Sequence, residues 1–408
     1  LGQAANAYGR LLMLQGDYPQ AMRQLQESIQ IFDQLGDKAG RTEALGNLGN
    51  LYFRQGKYPE AEQYFHQSIE IARQLEGFHL DAQIVANLGL TYMNRGNYEE
   101  GIRCQLEHLA LCEQQNDKPG MAVIDTYLGI VYLEKGSYQE ALDSFQRGLA
   151  LCNELGNKQL ISIAIGNIGI VYERQGNYKQ AMENYLKDLE LCEELGDKQG
   201  TAIALGLIGQ LLNIQGEFHR AIEYLQKDLM LCEELSYQKG IAKAVNTLGD
   251  IFFNLQQYAR SLHFYNRAIE VTRQIKNKLV LGFSLVEKGT VLLETGDWPE
   301  LHKVVQEAQN VAEELGNPDL HFEARLLAAK TRYALGKTEE AKDMLVALLQ
   351  TTNGIDHEAS LHYELFRIDP DNAESRDIAL ALYRELNQAT PRYLFRLRLE
   401  ILEKLQNV

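Results

Sequence analysis

Few residues in this chain are grouped as chemistry needs them. His357-Glu358-Ala359-Ser360-Leu361-His362 comes nearest to a zinc-binding helix, in which two histidines four apart share one face. Here they are five apart, so a helix turns them away from each other. Asp369-Pro370-Asp371-Asn372-Ala373-Glu374 carries oxygen ligands like a calcium loop but has glutamate where the sharp turn needs glycine, and reads as a helix N-terminal turn. No phosphate-cradling Gly-x-x-x-x-Gly-Lys-Ser/Thr loop and no Gly-x-Ser-x-Gly elbow occurs. Acid pairs such as Glu193-Glu194 and Glu313-Glu314 fall at helix ends, on solvated faces. The expectation is no catalytic residue, no metal site and no cofactor.

The elements that would hold any site are built from 408 residues, 45% of them apolar, enough for a large core. Forty basic against 56 acidic residues give a net charge of −16, which disfavours phosphate neutralisation and hence nucleic acid. No apolar run approaches the roughly 18 residues of a membrane span, and no charged-then-apolar leader is present. The chain begins at Leu1 rather than Met, which raises the expectation of a piece of something longer.

A ruler runs through the sequence. Gly16, Gly56, Gly96, Gly136, Gly176 and Gly216 recur 40 apart, and after Gln256 the series resumes at Gly296 and Gly336. Two residues on stands an aromatic: Tyr18, Tyr58, Tyr98, Tyr138, Tyr178, Phe218, Tyr258 and Trp298. Seven residues before each turn is another glycine column, Gly9 to Gly289, and a small residue follows at the Ala21 and Ala61 column. Such self-similarity marks a solenoid.

Each unit reads as two helices. Leu45, Leu48 and Tyr52 recur at helical spacing before Gln55-Gly56-Lys57, and Ala61, Phe65, Ser68, Ile69 and Ala72 form the stripe of the next helix. Helices of about 14 and about 18 residues are expected. Leu-Gly-Asp/Asn closes units at Gly36, Gly156, Gly196 and Gly316, where glycine suits a left-handed C-cap and Asp or Asn the next N-cap. Glycine inside a helix costs roughly 1 kcal/mol against alanine. The mid-helix column is therefore expected to let the two helices approach, with the Ala61 column as its partner and the Tyr58 column as cover.

Leu48-Gly49-Asn50-Leu51-Tyr52, Gly56-Lys57-Tyr58 and Ala61-Glu62-Gln63-Tyr64-Phe65 resemble the tetratricopeptide repeat. The usual repeat has 34 residues; the 40-residue form is similar to the repeats of kinesin light chain, Pins-type adaptors and Rap-type peptide receptors. The resemblance implies an all-α, right-handed superhelical solenoid of antiparallel hairpins. Nine hairpins are expected over 1–352 and a C-terminal helical cap over 353–408. In the last units Lys288, Ala329 and Thr338 break the columns, and helices are expected at 357–367, 374–388 and 391–406, bounded by Pro370 and Pro391. They read as a cap over the last apolar face or as a separate effector-binding unit.

Cys112, Cys152, Cys192 and Cys232 lie on the ruler, about a helix diameter apart and so beyond disulfide reach. Reduced core thiols fit a cytoplasmic protein; Cys104 has no evident partner.

By resemblance, first helices line the concave side, and the family's ligand-facing slots map onto the columns of Glu43, Gly46, Asn47, Asn50, Phe53 and Arg54. These columns hold Asn47, Asn50, Asn87, Asn94, Asn167, Gln210, Asn213, Asn246 and Asn254, few cations (Arg10, Arg54, Arg174, Lys243, Lys330) and rather more acids, among them Asp250, Glu287 and Glu323. Val123, Tyr127, Ile163 and Ile203 add apolar surface. An amide both donates and accepts, so a spaced row can pair with an extended backbone; alternatively the amides bond neighbouring hairpins. The candidate peptide- or protein-binding residues are Asn47, Asn50, Arg54, Asn87, Asn94, Tyr127, Asn167, Arg174, Gln210, Asn246 and Asn254. The expected function is a non-catalytic scaffold holding a protein or peptide segment, without nucleic acid or membrane. The alternative is the sensor arm of a larger signalling enzyme, a STAND-type ATPase or nucleotide cyclase, with catalysis upstream of Leu1. If the glycine column sets helix approach, Gly169→Leu splays one hairpin and lowers the urea midpoint; an unchanged midpoint contradicts the packing role.

Overall fold

The computed structural model describes residues 1–14, 16–75, 82–352 and 354–406, without the side chains of Leu14, Ala82, Gln83, Asn94 and Gln406. Among the described residues it is all helix, 21 helices from α1 (Gly2–Leu14) to α21 (Tyr393–Gln406). The chain forms two compact units, Leu1–Val171 and Tyr172–Val408.

In the first unit, α1 packs on α2 (Tyr18–Leu35), α3 (Lys38–Arg54) on α4 (Tyr58–Arg73), α5 (Ala82–Asn94) on α6 (Tyr98–Gln115) and α7 (Lys118–Glu134) on α8 (Tyr138–Leu155). Odd-numbered helices also meet along the row, α1 with α3 and α3 with α5. This unit ends within α9 (Lys158–Arg174). At 17 residues, α3 and α7 are longer than the expected 14.

The second unit continues with α10 (Tyr178–Leu195), then α11 (Lys198–Gln215) on α12 (Phe218–Glu234), α13 (Gln238–Asn254) on α14 (Tyr258–Gln274), α15 (Lys278–Thr295) on α16 (Trp298–Leu315) and α17 (Pro318–Ala334) on α18 (Thr338–Leu349). Here α11 meets α13, α13 meets α15 and α15 meets α17, so first helices share one wall. The wall is closed off by α19 (Ile355–Ile368), α20 (Ala373–Ala389) and α21.

The mid-helix glycines face the expected small-residue column, but the gap they leave is filled by a further column of large side chains. A Cβ on Gly49 would lie 2.7 Å from the ring of Phe65, and one on Gly129 2.5 Å from that of Phe145. Leu25, Leu225 and Tyr265 stand likewise against Gly9, Gly209 and Gly249. The large side chain four residues after the small one enters the gap, because helical spacing stacks i and i+4 on one face. The small residue contributes its carbonyl, as Ala21 does at 3.3 Å from a Cβ on Gly9. Gly289 differs again: its neighbour is Leu327 of the next hairpin.

The cysteine column packs between hairpins. A Cβ on Gly120 would meet Cys112 Sγ at 3.0 Å and one on Gly200 would meet Cys192 Sγ at 2.6 Å, while Phe32 fills the same slot against Gly40. All five cysteines are free and buried. Burial pushes the Cys104 thiol up to about 11 and, with Asp228 beside it, that of Cys232 to about 12.

Turn positions keep their backbone where the glycine is lost. Gln256 has φ 57°, and Asn116, Ser236 and Lys276 take the left-handed conformation that Gly36 and Gly156 occupy elsewhere. Each non-glycine costs roughly 1–2 kcal/mol there, a cost the packing of whole hairpins offsets. On the outer face, ion pairs bridge second helices at Arg73–Glu107 (2.7 Å) and Arg273–Glu307 (2.6 Å).

N-caps differ in a way that can be measured. Asp197 accepts from the Gly200 amide at 3.0 Å, whereas Ser137 caps α8 without a side-chain bond. Asp197→Ala is expected to lower stability by about 1 kcal/mol, and Ser137→Ala by less than about half of that. Equal losses in urea unfolding would contradict the assignment.

Candidate functional site

The first-helix wall carries the amides. In the first unit, Asn47 Nδ2 donates to Asn6 Oδ1 at 2.9 Å and Asn87 Nδ2 to Asn50 Oδ1 at 2.6 Å. These bonds tie successive first helices together, and they occupy part of the capacity of each amide, which has two donors and two acceptor sites. Asn167 donates to the carbonyl of Ile163 in its own helix at 2.9 Å. Arg54 and Arg174 are exposed, as are Tyr127, Val123 and Ile163 beside the row. The side chain of Asn94 lies outside the described residues.

In the second unit the amides converge on two adjoining cavities. One, of about 590 Å³, is lined by Gln210, Asn213, Lys239, Lys243 and Asn246. The other, of about 400 Å³, is lined by Asn213, Asp250, Asn254, Glu287, Glu323 and Lys330 of the first helices and by Arg392, Tyr393 and Arg398 of the C-terminal segment. Asn213, Ile214 and Asp250 belong to both. Ser284 donates to Asn246 Oδ1 at 2.9 Å. The buried Asn213 Oδ1 has no hydrogen-bond partner among the described residues, a deficit worth roughly 1–3 kcal/mol. Of the residues selected from sequence, Gln210 and Asn246 line one cavity and Asn254 the other; Asn213, from the same columns but outside the selection, lines both.

Charge is divided along this wall. Asp250 accepts from the Tyr265 hydroxyl at 2.5 Å, yet burial holds its pKa up at about 6. Glu287 is exposed on the cavity; the desolvating protein around it, with the carboxylates of Asp250 and Glu323, raises it to about 8, and Lys330 only partly opposes. Lys330 is itself paired with the buried Glu364 at 3.1 Å. At the other end, enclosure lowers the pKa of Lys243, against the pull of Glu173 and Asp228.

The chemistry dismissed from sequence meets the following geometry. His357 stacks on Phe322 with ring centroids 3.8 Å apart, while His362 Nδ1 faces Ser375 Oγ at 3.3 Å. Asn372 caps α20 and Asp369 pairs with Lys342. No group of three or more possible metal ligands occurs among the described residues. No helix among them is long and apolar enough to cross a membrane.

Helix hairpins with this glycine–ring packing match the family profile "Tetratricopeptide repeat" over residues 1–74, 81–154 and 160–229, together more than half of the chain. The chain is a tetratricopeptide-repeat protein. A second profile, "26S proteasome subunit RPN7", matches residues 211–367 of this repeat protein. A comparison with curated proteins finds no significant match. Among solved structures, the repeats are similar to the apo form of the quorum sensor NprR from B. thuringiensis (17% identity, TM-score 0.58, 75% of this chain and 87% of that one). They are similar also to the Rap conjugation gene regulator of plasmid pLS20 in complex with the Phr* peptide (14%, 0.56, 85% and 95%). A third likeness is to a STAND protein with a tetratricopeptide repeat sensor from Pyrococcus horikoshii (13%, 0.55, 81% of this chain and 52% of that one). At these identities the likeness is one of fold.

The raised carboxyls make stability depend on pH. Asp250 and Glu287 bind protons more tightly folded than unfolded, so their contribution is intact below the ordinary values of 3.8 and 4.5 and is lost as pH rises through about 6 and about 8. Glu287→Gln is expected to shrink the fall in urea midpoint between pH about 5 and about 8.5. An undiminished fall would show that this carboxyl does not carry the effect.

Proposed function

We propose that this repeat protein is a non-catalytic scaffold that holds an extended peptide or protein segment against its first-helix wall, with no cofactor. The observation that carries the reading is the convergence of amides on two adjoining cavities, Gln210 and Asn246 on one, Asn254 on the other and Asn213 on both. Each amide both donates and accepts, so a row lining a cavity can pair with the N–H and C=O groups of an extended segment. Division of the wall into a lysine end and a carboxylate end would fix the direction of the segment. The Rap regulator of similar fold was solved with a peptide, which supports the ligand class. Asn47, Asn50, Arg54, Asn87, Tyr127 and Asn167 remain candidates for a second stretch of contact in the first unit, and Arg174 remains one in the second. The expected compartment is the cytoplasm.

A second reading, a sensor arm within a larger signalling enzyme, is favoured by one observation: the likeness to the STAND protein whose sensor is built of the same repeats. Both readings use the same wall.

Peptides selected from a displayed random library on the full chain test the proposal. Gln210→Ala, Asn213→Ala and Asn246→Ala together are expected to weaken a selected peptide by roughly tenfold or more. Asn47→Ala, Asn87→Ala and Asn167→Ala are expected to cost less, since two of those amides already serve neighbouring helices. Undiminished binding by the first triple variant, with the fold intact, rejects the wall as the site.

A further inference from the structure

A cap over the last hairpin needs only one helix. Leu361, Leu365 and Ile368 of α19 complete the core of α17 and α18 with Phe322, Leu326 and Leu345. The chain nevertheless continues through α20 and returns to the start of the second unit. There Tyr393 meets Phe218 edge-on, ring centroids 5.0 Å apart, and Arg396 Nη2 donates to the carbonyl of Gln215 at 2.7 Å. That carbonyl is in the last turn of α11, where a cation complements the helix dipole.

The turn glycines record the same return. A Cβ on Gly56, Gly136 or Gly196 would meet nothing, but on Gly216 it would lie 2.7 Å from the Tyr393 ring, and on Gly176 2.5 Å from the carbonyl of Ala389. The corner between α20 and α21 is thus seated on two successive turns of the wall.

The two faces of α21 are unequal. One is bolted down: Phe395 and Leu402 are buried with Phe366, Ala379 and Tyr383, and the Arg398 guanidinium lies over the Tyr363 and Tyr383 rings. The other reaches the wall through Tyr393 and Arg396, and Leu394 and Leu397 beside them stay exposed. A few side chains close a ring whose remaining joints are full hydrophobic interfaces, so this joint is the one that opens at least cost.

We propose that the α20–α21 corner is an intramolecular clasp: seated, it walls the cavity lined by Asn213, Asp250 and Thr290, and its release admits a ligand to the first-helix wall. The gating role rests on the peptide-binding reading above; the clasp itself rests on the contacts at Gly176, Gly216, Gln215 and Phe218.

The test needs no ligand. Thr290→Cys in the full chain places a thiol on the cavity, while the five native cysteines are buried. Labelling by a polyethylene-glycol maleimide is expected to be slow, and roughly tenfold faster when Tyr393→Ala and Arg396→Ala are added. Tyr393→Phe, which keeps the ring, is expected to label as slowly as the parent. Hydrogen exchange is expected to quicken over 389–397 while α13 to α18 keep their protection. An unchanged labelling rate overturns the proposal, and so does loss of protection throughout α13–α18, which would make α20–α21 a structural cap. Failure of the peptide selection, by contrast, would count against the groove and leave the labelling result standing.

Discussion

The contact between a helix glycine and a large side chain of the partner helix is what the architecture depends on. Gly49 against Phe65 and Gly129 against Phe145 remove a Cβ where a ring must sit, and both rings are fully buried. The helix-propensity cost of roughly 1 kcal/mol per glycine is outweighed by burial of a phenylalanine, worth about 1.5–3 kcal/mol. Repetition every 40 residues then sets each hairpin at the same depth on the last. Gly120 and Gly200 extend the device between hairpins, where they admit the cysteine thiols.

A regular stack has a functional consequence. Successive first helices become neighbours with a small offset from strict repeat equivalence, so that Asn87 reaches Asn50, 37 residues back, and Ser284 reaches Asn246, 38 back. The same alignment crowds Asp250, Glu287 and Glu323 onto one cavity wall, where Lys330, itself held by Glu364, opposes Glu287 and, with Arg398, Glu323. Structural bonding dominates the row in the first unit; in the second, Gln210, Asn213 and Asn246 line a cavity.

Much of this was legible because the period constrains short-range geometry. Helix pairs, turn glycines and N-caps follow from local sequence, and even Gln256 and Ser236 adopt the left-handed turn that the ruler calls for. The small-residue column does lie against the glycines, as Ala21 does at Gly9, but the ring that fills the gap was missed, since spacing gives a face and not the reach of a side chain; Phe65 is one helical turn beyond Ala61. The return of α21 to Gly216 was invisible: it joins residues 181 apart through Arg396 and Gln215, and no periodicity encodes such a contact. The two cavities that Asn213 lines were hidden for the same reason, because a cavity depends on every neighbouring chain segment.

A double-mutant cycle in urea unfolding at Gly129 and Phe145 addresses the governing contact most directly. Gly129→Ala alone is expected to destabilise by about 1–3 kcal/mol through overpacking, despite the gain in helix propensity. Phe145→Leu makes room for the new methyl, so the double variant is expected to be more stable than the sum of the single changes by about 1 kcal/mol. Additivity within about 0.3 kcal/mol would mean that ring and glycine do not sense each other, and would contradict the account.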